Sequence, residues 1–124
     1  MRNVEDKNKT AAETTKAKDD FEAYKAKYGK LYRVNATVEP DDSTTVELVY
    51  LFQKPATASY DRYVKSTAQS PTKALRAFVL DNVIEEQHQK LEADLEEYPA
   101  LALSVGEKLL NMLGLSKDIN LKLL

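Results

Sequence analysis

A chain of 124 residues with a net charge of −2, 43% hydrophobic and 31% charged side chains has the make-up of one globular domain with a well-solvated surface. Both signs of charge are interspersed, without the basic excess a nucleic-acid duplex demands, and no run approaches the roughly 20 apolar residues of a membrane span. The lack of cysteine excludes disulfides, thiolate chemistry and Cys-based zinc sites.

Residues 1–16 are polar and read as a flexible or partly helical segment. No apolar run lies between Met1 and Asp20, so no secretory signal is expected and the protein is placed in the cytoplasm. Ala17, Phe21, Tyr24 and Tyr28 fall at helical spacing, which predicts a helix over 12–28, stopped at Gly29. From Leu31 to Val38 the pattern alternates, with Tyr32, Val34, Ala36 and Val38 on one face of a strand. Residues 39–43 form a turn cluster. A second strand follows over 45–53, with Val46, Leu48, Tyr50 and Phe52 on one face, and Val49 and Leu51 on the other. The pair predicts a hairpin with a loop of about five residues.

After Pro55, Thr57 or Ser59 is the expected cap of a helix lined by Tyr60, Tyr63, Val64 and Thr67. Ser70-Pro71 is a strong helix start, with the apolar face running through Leu75, Phe78, Val79 and Val83. Residues 85–97 form a further helix or a bent continuation. Beyond Pro99, residues 101–113 make the most apolar helix, stopped at Gly114. The expected fold class is α+β: an antiparallel hairpin, about 31–38 and 45–53, packed with an N-terminal helix and a C-terminal cluster of three to four helices. It forms a single domain over 17–114, followed by an apolar tail, 115–124.

The residues nominate no catalytic centre, metal site or cofactor site, and no enzyme activity is expected. His88 is the single histidine, with Glu85 three residues before it, whereas a metal needs three or four converging ligands. Glu85, Glu86, Glu92, Asp94, Glu96 and Glu97 read as a solubilising helix face. The glycines at 29, 106 and 114 are too far apart for a phosphate loop. Two regions suit protein contact instead. One is rich in tyrosine, a side chain that buries a ring while keeping its hydroxyl wet, and offers Tyr32, Tyr50, Tyr60 and Tyr63. The other is the over-apolar last helix with its tail, offering Leu103, Leu110, Leu113 and Ile119.

Taken together, the order of the strings Tyr28-Gly29-Lys30-Leu31-Tyr32, Leu51-Phe52-Gln53-Lys54-Pro55, Tyr60-Asp61-Arg62-Tyr63, Ser70 to Leu80 and Leu95 to Leu110 resembles small proteins of bacteriophage tail-gene clusters, of the tail assembly chaperone type. The resemblance spans about residues 24–114. It implies a cytoplasmic protein of the bacterial host that escorts the tape-measure protein, or other tail proteins, during tail assembly, either by helix-in-groove packing or by strand addition at the hairpin edge. A homo-oligomer would add avidity along a long client. The competing expectations are a minor tail or baseplate component and a small adaptor or inhibitor of a host protein.

Overall fold

The computed structural model describes residues 21–124. The expected flexible segment 1–16 and the first part of the predicted 12–28 helix lie outside them. The chain divides into two compact units, with the boundary between Leu31 and Tyr32, inside the stretch read as one domain. In the first unit, residues 21–28 form helix α1, with Phe21, Tyr24 and Tyr28 half-buried on one face. Gly29 stops it at φ +81°, its N–H bonding Lys25 O at 2.8 Å.

The second unit opens with an antiparallel hairpin, β1 (Tyr32–Asp41) and β2 (Thr44–Phe52). As the alternation predicted, Tyr32, Val34, Ala36 and Val38 are half-buried while Arg33, Asn35 and Thr37 are exposed. The turn is tighter than the expected five residues. The strands pair as far as Asp41 opposite Thr44, leaving Asp42 and Ser43 to turn, with an irregularity between Val38 and Asp41. Two features explain it. Pro40 has no N–H to give a ladder, so it sits at the irregularity. The Asp41 carboxylate accepts from Ser43 N at 2.8 Å, Ser43 Oγ at 3.0 Å and Thr44 Oγ1 at 3.1 Å, tying the turn to one side chain.

Four helices follow: α2 (Thr57–Thr67), α3 (Pro71–Asn82), α4 (His88–Glu97) and α5 (Leu101–Met112), with a 3₁₀ turn at Glu85–Gln87 leading into α4. The α2 N-cap is Ala56 and carries no side-chain cap; Thr57 is already helical and Ser59 is buried, so neither caps it. Ser70 does cap α3, its Oγ accepting from Lys73 N at 3.4 Å, with Pro71 in the first turn. Val83, expected in the helix, lies beyond its end. It forms an antiparallel bridge with Phe52, closed by Gln53 N to Asn82 O at 2.9 Å and Ile84 N to Leu51 O at 3.0 Å. Residues 85–97 are therefore a separate helix, not an extension of α3.

One core holds the second unit together. Tyr50 and Phe52 of β2, Phe78 and Val79 of α3, Leu91 of α4, and Val105 and Leu109 of α5 are all but fully buried. Helices α3 and α5 approach closely at Gly106, where an added Cβ would lie 2.4 Å from Leu75 Cδ1. A Schellman stop ends α5: Gly114, at φ +108°, donates to Asn111 O at 3.1 Å, and Leu115 N donates to Leu110 O at 3.0 Å. Residues 115–124 then run on without regular secondary structure.

Candidate functional site

The sheet has two unlike edges. On the outer side of β2, Leu51 N donates to Gln87 Oε1 at 2.7 Å, Leu51 O accepts from Ile84, and Lys90 Nζ reaches Val49 O at 3.4 Å. Leu51 is accordingly only 4% exposed, and β2 is buried on both faces from Tyr50 to Phe52. Since the backbone of Leu51 points away from β1, the ladder bonds run through the neighbouring pairs, Tyr32 with Phe52 and Val34 with Tyr50. The backbone groups of Arg33, Asn35 and Thr37 therefore point outward from β1. Among the described residues no backbone group meets them.

A cleft of about 470 Å³ runs along this open edge. Five successive β1 residues, Val34 to Val38, line one side, and Tyr98, Pro99, Leu101 and Val105 line the other, with Glu97 and Lys108 at the rim. Side chains alternate in a strand, so a cleft touching five in a row lies at the strand's edge. A second cleft, about 630 Å³, lies between α3 and α5. Tyr63, Leu75, Leu95, Pro99, Ala102 and Leu103 give it an apolar lining, Lys73 brings positive charge, and Arg76 is ion-paired with Glu96 at 2.8 Å.

The residues expected at a contact surface separate. Tyr50 is wholly buried at 0% exposure, so it belongs to the core and not to a surface. Its hydroxyl donates to the Asp94 carboxylate, and burial first, then Asp94, pushes the phenol well above its ordinary range. Asp94 is half-buried, which removes it from the solubilising face read from the sequence. Tyr32 is half-buried on β1. Tyr63 stacks at 5.1 Å from Phe78 and lines the α3–α5 cleft, with Tyr60 40% exposed beside it at 6.5 Å. Leu110 and Leu113 are half-buried against the core. Leu103 stands 61% exposed at the α3–α5 cleft, and Ile119 is 75% exposed on the tail. The structure thus joins Tyr63 with Leu103, and leaves Ile119 apart from both. The open β1 edge and its cleft escaped residue-by-residue reading, because they depend on which strand edge the later helices cover.

His88 is exposed at the start of α4. Among the described residues no three His, Asp or Glu side chains converge to hold a metal ion, and no helix is long and apolar enough to cross a membrane.

A family model described as a domain of unknown function (DUF6848) matches residues 24–122. The solved structure of the uncharacterised protein rbstp2171 from Bacillus stearothermophilus superposes with a TM-score of 0.70 at 25% identity, over 82% of this chain and 99% of that one. No curated protein matches.

Proposed function

We propose that this chain, which belongs to the DUF6848 family, is a protein-binding domain acting as a tail assembly chaperone, holding an apolar helical stretch of a tape-measure protein. The observation that carries the reading is the α3–α5 cleft. A large leucine, Leu103, is 61% exposed in the first turn of α5, at a cleft it lines with Tyr63, Leu75 and Leu95. An amphipathic helix laid in such a groove buries its apolar stripe against these side chains. Lys73 at the rim suits an acidic residue flanking that stripe. Binding of this kind needs no covalent chemistry, so the client can be released as tail subunits take its place.

The test is co-expression with a fragment of the tape-measure protein, comparing the wild-type chain with Leu103→Glu. The wild type is expected to keep the fragment soluble and to co-purify with it. Leu103→Glu, folded by circular dichroism, is expected to lose the fragment. The proposal fails if wild type leaves the fragment insoluble, or if the variant protects it equally well.

A further inference from the structure

The tail 115–124 carries a pattern that its own fold does not use. From Asp118 to Leu123 the residues alternate: Ile119, Leu121 and Leu123 are apolar, and Asp118, Asn120 and Lys122 are polar. That is the period of a half-buried strand, with no proline or glycine to break it. Yet Ile119 is 75% exposed, Leu121 99% and Leu123 96%, and among the described residues the segment pairs with no strand. Same-period leucines left in water are a cost without a structural return in this chain.

The β1 edge is the converse. It has outward-pointing backbone groups at Arg33, Asn35 and Thr37, an apolar inner face at Val34, Ala36 and Val38, and a polar outer face. We infer that residues 118–124 of one copy add as a third strand to the β1 edge of a second copy. The faces match. Ile119, Leu121 and Leu123 would enter the apolar cleft, while Asn120 and Lys122 would lie over the exposed face with Asn35 and Thr37. Backbone bonds supply affinity and alternate side chains supply specificity, as in strand addition generally. The exposed Lys117 Nζ to Glu107 Oε1 ion pair, 2.8 Å, joins the root of the tail to its own α5. The apolar part is left to reach outward. This surface shares Pro99 and Ala100 with the α3–α5 cleft but none of that cleft's Tyr63, Leu75 and Leu103, so the inference does not depend on a tape-measure helix binding there.

Three proteins test it by size-exclusion chromatography with light scattering: wild type, Leu121→Lys and Asn35→Pro. Leu121 is fully exposed, so its replacement leaves the fold intact. Proline at 35 removes an N–H that points away from the hairpin. Wild type is expected to run above the 14.0 kDa of one chain, and each variant to run as a monomer. Mixing the two variants should restore association, since one supplies an intact edge and the other an intact tail. If Asn35→Pro does not fold, hydrogen exchange at the Asn35 amide replaces it: slowed about tenfold or more in wild type relative to Leu121→Lys. A monomeric wild type overturns the inference. So does a Leu121→Lys variant that still associates, a mixture of folded variants that stays monomeric, or an Asn35 amide that exchanges alike in both proteins. Leu103→Glu should associate as wild type does, which separates this surface from client binding.

Discussion

The hydroxyl of Tyr50, on β2, donates to the carboxylate of Asp94, on α4, and so pins the sheet to a helix that contributes only Leu91 and Leu95 to the core. Lys90 Nζ lies 5.1 Å from the same ring. The phenol is held protonated in the folded chain, chiefly because burial disfavours the phenolate and then because Asp94 repels it. A raised folded-state value means that stability is intact below the unfolded phenol's value, near 10. It falls as the pH rises above that value. Wild type is therefore expected to lose its denaturant midpoint above about pH 10 more steeply than Tyr50→Phe. At neutral pH, Tyr50→Phe should cost about 1–2 kcal/mol, since Asp94 loses a partner while half-buried. Urea melts of both proteins at neutral and alkaline pH decide this.

Two leucines of α5 should behave oppositely. Leu109 is wholly buried and Leu103 largely exposed. Leu109→Ala should destabilise by about 2–5 kcal/mol through the cavity it leaves. Leu103→Ala should fall within about 0.5 kcal/mol of wild type. Equal losses in thermal melts would mean that Leu103 is packed, and the α3–α5 cleft would lose its claim as a binding surface.

Asn82 and Ser59 form a buried polar pair joining α3 to α2. Asn82 Nδ2 donates to Ser59 Oγ at 3.0 Å and to Phe78 O at 2.7 Å. Ser59→Ala leaves the second bond in place and should cost about 1 kcal/mol. Asn82→Ala removes both bonds, leaving Phe78 O its helical partner, and should cost about 2–3 kcal/mol. Chemical denaturation of the two variants reads the difference directly.

At Gly106 even one added carbon meets Leu75. Gly106→Val should overpack the α3–α5 contact and cost about 1–3 kcal/mol. Because Leu75 also lines the α3–α5 cleft, the same change should weaken capture of the tape-measure fragment. Normal capture by a destabilised Gly106→Val would separate the cleft from the helix spacing.

What could be read from the sequence was local. The alternation in β1, the Ser70-Pro71 start and the Gly29 and Gly114 stops each rest on a few neighbouring residues, and each is in place. What could not be read was set across the chain. Val83 sits in an apolar helical series, but it lies opposite Phe52, thirty-odd positions away, through bonds its neighbours Asn82 and Ile84 make, and periodicity carries no trace of that pairing. Tyr50 has the amphipathic chemistry of a surface ring, and only the placement of Asp94 shows that its hydroxyl is satisfied inside. The turn was misjudged because Asp and Pro signal a loop in either case, while the bonds made by Asp41 decide its size. Of the candidate site, Tyr63 and Leu103 were recoverable as apolar side chains in excess of one helix face. Which hairpin edge is open became visible only once β2's far side was seen to be met by Ile84, Gln87 and Lys90.

The bridge between Phe52 and Val83 has two whole helices between its ends. A lone two-stranded hairpin is marginal in water, and closing that long segment pays its entropy only when α2 and α3 are already docked. The hairpin and the helical cluster are therefore committed together: a nascent chain emerging only as far as β2 has the turn that Asp41 ties, but none of the helices that bury Tyr50 and Phe52.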